Sequence, residues 1–179
     1  MLLDRGADVS RAKNNGANSL FVACQNGRVA TVAALLDAGA NINQPTTTGS
    51  TPLYMACQVG QLKVVKLLLA RKAAVDQARH TGSTPLHIAA ENGHADIVSV
   101  LLEHKASVDQ PNLNGVTALM LAAAHGQDHA VEVLLEAGAN PTLRNVGSET
   151  AAEAAKSRGH TKLRERLLEA EEAYRKAFA

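Results

Sequence analysis

The chain has 179 residues, and 46% of them are hydrophobic, which is enough to bury the core of one domain. Lysine plus arginine (18) nearly balances aspartate plus glutamate (17), so no long-range field attracts nucleic acid or an anionic membrane surface. No apolar run approaches the ~18 residues of a membrane span, and the apolar start at residues 1–3 is too short for a signal peptide, which predicts a cytoplasmic or nuclear protein.

A fixed period organises the sequence. One glycine series occupies positions 16, 49, 82 and 115, a second occupies 27, 60, 93, 126 and 159, and paired leucines keep the same interval from 35/36 to 167/168. Three independent columns with one period predict a single repeat domain over residues 1–179. In chain order we expect half a repeat at 1–12, full repeats at 13–45, 46–78, 79–111 and 112–144, and a capping repeat with an extended second helix at 145–179.

The unit that begins at Gly82 shows the physics of one repeat. Thr84 is placed to cap a helix and Pro85 suits its first turn, while Gly93 ends it after about two turns. A second helix follows at once, with apolar residues at the 3, 4 spacing of a buried face, and a hairpin-like loop leads to the next unit. Two such short helices are marginal alone, so stacking must stabilise them. The scarcity of aromatic residues, two tyrosines and two phenylalanines, favours closely spaced all-α packing of alanine, leucine, valine and isoleucine.

These residues carry a family resemblance. The segments GSTPLYMACQVG and GSTPLHIAAENGH, with the double leucine and the constant repeat period, resemble the ankyrin-repeat family over nearly the whole chain. The resemblance implies an all-α helical solenoid of helix-turn-helix units with projecting loops, and a concave side formed by the loops and the first helices.

Three departures from the pattern predict local differences. Lys72 and Lys105 replace a helix-ending glycine, at a cost of roughly 1 kcal/mol each if the backbone there is left-handed. In the last repeat the loop glycine, Gly147, comes one place early. Tyr174 and Phe178 extend one face of the last helix, where we expect them to cover the end of the stack, with a docking helix for a partner as the alternative.

No catalytic residue, cofactor site or metal site is expected. Cys24 and Cys57 are one period apart, which places them roughly 8–10 Å apart on stacked helices, beyond the ~7 Å limit for a disulfide, so we interpret them as core residues. His125 and His129 have a zinc-like spacing, but Gly126 between them marks the turn between helices. Nucleophile elbows and phosphate-binding glycine runs are also missing from the sequence. An enzyme is therefore not expected.

The predicted function is that of a scaffold or adaptor that binds another protein. Loop tips and the outer turns of the first helices vary between repeats, whereas stack-facing columns do not, and the resemblance assigns those variable positions to the concave binding side. We expect the second to fourth repeats to form its centre, with Tyr54, Leu113, Val116 and His125 as anchors. The predicted partner-binding residues are Thr47, Thr48, Ser50, Tyr54, Gln58, Val59, His80, Thr81, Ser83, Glu91, Asn92, Leu113, Asn114, Val116, Ala124 and His125.

Two alternatives stay open at this point. The resemblance also implies that ankyrin repeats are substrates of an asparaginyl hydroxylase, at positions that here are Asn43, Asp76 and Asp109, although such residues commonly serve loop hydrogen bonding. A monomer is expected, but the half repeat at 1–12 begins in mid-helix. This start indicates either a fragment of a longer array or a frayed first half repeat, and it offers a surface for self-association.

Overall fold

The computed structural model describes residues 11–178, and this part of the chain consists of ten α-helices paired into five helical hairpins. The first helices of the pairs are α1 (Ser19–Gln25), α3 (Pro52–Gln58), α5 (Pro85–Glu91), α7 (Ala118–Ala124) and α9 (Ala151–Ser157). The second helices are α2 (Val29–Asp37), α4 (Leu62–Ala70), α6 (Ala95–Glu103), α8 (Asp128–Glu136) and α10 (Thr161–Ala177). Each predicted segment from residue 13 onward contains one such pair. The half repeat at 1–12 lies outside the described residues except for Arg11 and Ala12.

The first helices begin at side-chain caps that recur once in every repeat. Asn18 accepts a hydrogen bond from the Phe21 N–H at 2.9 Å, and Thr51 accepts one from the Tyr54 N–H at 3.1 Å. The caps of α5, α7 and α9 repeat this bond, which satisfies an N–H group that the helix itself cannot. Asn18 therefore replaces the threonine of the pattern without loss of the cap.

Stacking along one line builds the core. Each first helix packs against its own second helix and against the first helix of the next pair, and second helices from α2 to α8 also pack in order. One column of leucines in the first helices is 0–1% exposed, and the alanine column three residues later lets these helices approach closely. The leucine column is Leu20, Leu53, Leu86 and Leu119, and the alanine column is Ala23, Ala56, Ala89, Ala122 and Ala155. The predicted all-α solenoid is confirmed.

Backbone hydrogen bonds join the loops of neighbouring repeats into a continuous ladder. The N–H of Thr47 donates to the carbonyl of Asn15 at 3.0 Å, and the N–H of Leu113 donates to the carbonyl of Thr81 at 3.1 Å. The same bond forms from His80 to Thr48 and from Val146 to Asn114. The loop tips are therefore held at a fixed spacing although no strand is formed by residues 11–178, where a single isolated bridge pairs Ala12 with Asn18.

Left-handed backbone outside glycine occurs at three described positions. Lys72 and Lys105 have φ of 66° and 68°, as predicted from their place in a glycine column. The third is Ser148, with φ of 62°. Ser148 is the residue of the last loop that corresponds to Gly115 in the loop before it. The left-handed turn therefore keeps its place in the repeat, although the glycine, Gly147, comes one position early.

The extended helix α10 ends in an exposed aromatic pair. The rings of Tyr174 and Phe178 lie 4.4 Å apart between centroids, and Phe178 is 75% exposed. The prediction that Phe178 covers the end of the stack is wrong, because this ring contacts Tyr174 instead of the repeats. Burial of the last repeat comes from Leu163 and Leu167, which are 3% and 0% exposed.

Candidate partner-binding surface

The loop tips form one exposed edge of the array. Thr47, Thr48, His80 and Thr81 are exposed, and their main chains belong to the hydrogen-bonded ladder. Leu113 is the most exposed large hydrophobic residue of the second to fourth loops, at 74%, and Asn114 beside it is also exposed. Because the backbone is fixed, these side chains are presented at little further cost in conformational entropy.

The outer turns of the first helices form the second edge of the same surface. Gln58, Val59, Asn92 and His125 are exposed, and Glu91 and Ala124 are half-buried. Two of these side chains are held in place by hydrogen bonds to carbonyls at helix ends. Asn92 Nδ2 donates to the carbonyls of Ile88 and Gln58 at 3.0 and 3.3 Å, and the ring of His125 bonds through Nδ1 to the Leu121 carbonyl at 3.0 Å.

Two of the predicted partner-binding residues are buried and therefore do not belong to the exposed surface. Ser50 is 6% exposed, and its hydroxyl lies 3.2 Å from that of Thr48 within the loop. Tyr54 is 3% exposed and is covered by Arg79, whose guanidinium carbon lies 5.2 Å from the centre of the tyrosine ring. Tyr54 therefore cannot be a direct anchor. Ser83 and Val116 are half-buried, and Val116 packs against the core.

An apolar column that the sequence analysis missed lies between the two edges. Val22 and Met55 are half-buried on the first helices and line a cavity of about 370 Å³ together with loop residues such as Thr46 and Thr48. Ile88 and Leu121 occupy the same column in the next two repeats, at 7% and intermediate exposure. The sequence does contain a signal for this column, since all four positions are apolar and one period apart. An apolar position on a helix predicts burial in the core equally well, however, so the sequence does not show that the column faces a cavity.

The match to known families agrees with this geometry. A family model described as ankyrin repeats (3 copies) matches residues 1–79 and 71–145. The chain belongs to the ankyrin-repeat family. Ankyrin repeats are generally protein–protein interaction modules, and the family is typically non-enzymatic. A search of curated proteins finds no match.

The histidine of the ankyrin TPLH segment links two repeats. His87 is 1% exposed, and its Nε2 lies 2.9 Å from the carbonyl of Val116 in the following loop. Since a carbonyl only accepts, Nε2 carries the proton, and Nδ1 is left to accept the Thr84 N–H at 3.2 Å. This neutral ring joins the start of α5 to the next loop. Burial lowers the pKa of His87 below its ordinary value of 6.5.

Replacing His87 by methionine, the residue at the same place in the next repeat (Met120), is expected to remove a pH dependence of stability. The folded pKa lies below the unfolded one, so the native state binds fewer protons, and stability is lost as pH falls from 6.5 towards the folded pKa. Protonation of Nδ1 also breaks the bond with the Thr84 N–H. Urea unfolding at several pH values should show the variant about 1 kcal/mol less stable at pH 7.5, with the difference shrinking in acid. A difference that does not change with pH would contradict this role.

The three predicted hydroxylation positions all bind the backbone of the following repeat. The side chain of Asn43 accepts from the Ala74 N–H at 2.9 Å, and that of Asp109 accepts from the Asn140 N–H at 2.9 Å. Asp76 accepts from the backbone N–H of Ser107 at 3.1 Å. Desolvation raises the pKa of Asp109. These contacts favour the structural interpretation of the column.

The metal-ligating and thiol side chains of the described residues are scattered or buried. Among residues 11–178, no group of three or more histidine, cysteine or acidic side chains is arranged to hold a metal ion. Cys24 and Cys57 are buried free thiols, and burial raises the pKa of Cys24 to about 12 and raises that of Cys57 as well. Neutral thiols of this kind are poor nucleophiles. Within the same residues, no helix combines the length and the apolar character that a membrane crossing requires.

Proposed function

We propose that this chain is a single ankyrin-repeat domain, residues 1–179, that acts as a non-catalytic scaffold or adaptor and binds a partner protein through its loop tips and first helices. The observation that carries the proposal is the surface itself. Two exposed polar edges run along the second to fourth repeats on either side of an apolar column that begins at Val22 of the first full repeat and continues through Met55, Ile88 and Leu121. An apolar centre with a polar rim is the usual composition of a protein interface.

The size and rigidity of the strip support the same function. Three repeats of loop tips and helix edges are sufficient for a standard interface of about 800 Å² on each partner. Leu113 and Val59, which are 74% and 39% exposed, are its largest freely accessible apolar groups and are the best candidates for anchors. Because the ladder of backbone bonds holds the loops, binding here requires little ordering of the chain.

Replacing Val59 and Leu113 together by aspartate should reduce capture of partners from a lysate of the source organism at least tenfold, because each carboxylate would have to be desolvated in the complex. Both positions are exposed, so the fold should survive, which circular dichroism can check. Quantitative mass spectrometry of captured proteins, compared with the unmodified chain, measures the effect. Val116 is left unchanged because it packs against the core.

The matched control changes Leu168 and Phe178 to aspartate. These two residues are 40% and 75% exposed, almost the same as Val59 and Leu113, but both lie on or at the end of α10. We expect this control to capture the same proteins as the unmodified chain. If instead only the α10 variant loses its partners, the extended helix is the docking element and the proposed surface is wrong.

Neither hydroxylation nor self-association is favoured by an observation on the described residues. The hydroxylation positions are engaged in bonds between repeats, as with Asn43 and the Ala74 N–H. Self-association is the alternative to the expected monomer and involves residues 1–12, which lie almost entirely outside the described part of the chain.

A further inference from the structure

The guanidinium of Arg79 is positioned by an aromatic ring and lacks an anion. Its Nη1 lies 3.4 Å from the hydroxyl of Tyr54, and its carbon lies 5.2 Å from the centre of that ring. The Nε atom is buried and has no hydrogen-bond partner among residues 11–178, and no carboxylate of these residues lies within ion-pair distance of the side chain. The buried Nε is out of reach of a ligand, but the guanidinium as a whole has no counterion among these residues, so a ligand that brings an acceptor to its outer N–H groups is favoured.

A second arginine of the same array shows what is missing. Arg144, which precedes the last first helix α9, lies against Glu153, the residue in the column of Tyr54, with 3.0 Å between Nη1 and Oε2. There the chain supplies its own carboxylate. Arg79 reaches the same column from the following repeat, and the residue that it contacts there, Tyr54, is a neutral aromatic ring that orients the guanidinium by cation–π contact but leaves its charge available.

The cavity that Arg79 lines is positive and contains no acid. Its volume is about 370 Å³, and of the thirteen described residues that line it two are cations, Lys13 and Arg79, and none is aspartate or glutamate. The remaining polar lining is neutral and includes Gln25 and Gln58, while Val22 supplies an apolar wall. The volume lies within the range of ~300–1,000 Å³ that is usual for ligand pockets and is large enough for one side chain with its adjoining backbone.

The nearest acidic side chain on a first helix is directed elsewhere. Glu91 of α5 faces His125 of the following repeat, with 3.8 Å between Oε1 and Nε2. Burial raises the pKa of Tyr54 and the charge of Glu91 raises it further, so Glu91 is near this ring, but it does not line the cavity and is not within ion-pair distance of Arg79.

We propose that this cavity binds an aspartate or glutamate side chain from an extended segment of the partner, with Arg79 as its hydrogen-bonding cation and Lys13 as a supporting charge. The inference rests on the proposed function, since it names the chemistry of one contact within that interface. Charge complementarity and the unpaired guanidinium both select a carboxylate.

A display library of random twelve-residue peptides, fused through their carboxyl ends so that only side chains offer carboxylates, tests the inference on the full chain. We expect the selected peptides to share one acidic position. Changing that residue to its amide in a synthetic peptide should weaken binding to the unmodified chain about tenfold. The variant Arg79→Gln should bind the acid and the amide peptides equally.

Controls separate lost recognition from lost folding. Arg79→Lys keeps the charge and should keep a preference for the acid. Arg71→Gln removes an exposed arginine that lies outside the cavity and whose partner is Asp37, at 2.8 Å, and this variant should bind like the unmodified chain. Thermal melts by circular dichroism identify any variant that does not fold.

Three outcomes would overturn the inference: selected peptides without a shared acid, an acid preference that survives in Arg79→Gln, or a selection that yields no peptide. In each case the proposed function is judged separately by the Val59 and Leu113 variant, because that experiment uses whole partner proteins. If the Val59 and Leu113 variant loses its partners and any of these three outcomes is also found, the proposed binding surface is supported and the acidic contact at Arg79 is wrong.

Discussion

Replacing Leu119 by alanine is expected to lower the free energy of unfolding by about 2–5 kcal/mol. Leu119 is 1% exposed and lies on α7, in the leucine column that joins all of the full repeats. Its loss would leave a cavity that the neighbouring helices cannot fill, since their alanines already set a close approach. Urea unfolding followed by circular dichroism measures the change. A helix pair is too short to fold alone, so the loss acts on the stack and not on one helix.

The matched control is Leu113→Ala, which makes the same chemical change in the same repeat. Leu113 is 74% exposed, so its truncation should alter stability by no more than about 0.5 kcal/mol. Similar losses for the two variants would show that the stacked core does not determine stability. The control also matters for function, because a stable Leu113 variant makes its effect on partner binding interpretable.

Features that recur in every repeat could be predicted from the sequence to the residue. The cap at Thr84 follows from local rules applied to one unit, and the left-handed turns at Lys72 and Lys105 follow from their place in a column of helix-ending glycines. Each of these features depends on the chain within a few residues and on its place in the period, so contacts between repeats did not have to be known. The same period, with the segments GSTPLYMACQVG and GSTPLHIAAENGH, carries the resemblance to the ankyrin-repeat family.

The predicted surface was less accurate because exposure depends on the neighbouring repeat. Tyr54 lies on the expected side, but Arg79, from the following repeat, covers its ring. Met55, one residue further along, is half-buried and lines the cavity, in a column that the sequence analysis did not identify. Phe178 extends a buried face beyond the last partner that could cover it. In each case the repeat period predicts which side of the array a side chain faces. Whether that side chain is exposed depends on a residue far away in the sequence that can cover it.

Ser148 shows that the period also contains information about neighbours. The left-handed glycines of the earlier loops each approach the next loop, as Gly115 does with the backbone of Asn145 and Val146 at 3.2 Å from where a Cβ would lie. Ser148 occupies the same column with φ of 62°, and there a side chain is accepted. Glycine in this column is thus required by close contact as well as by backbone conformation.

Replacing Gly82 by alanine is expected to lower the free energy of unfolding by about 1–3 kcal/mol more than replacing Gly138 by alanine. Both glycines have left-handed backbone, with φ of 79° and 85°, so both variants carry the conformational cost of roughly 1 kcal/mol. They differ in what the new methyl group meets. At Gly82 it would lie 2.7 Å from the backbone nitrogen of Leu113, whereas nothing lies within 4 Å at Gly138.

The pair isolates the contact between repeats from the conformation of one residue. A backbone nitrogen held in the ladder, where the Leu113 N–H donates to Thr81, cannot move aside as a flexible side chain could. The column of Gly138 contains Lys72 and Lys105 in the middle repeats, which is consistent with free space there. Urea unfolding of both variants measures the difference in stability. Equal losses would mean that the loops do not hold the repeats together, and the fixed spacing of the binding surface would then lack its physical cause.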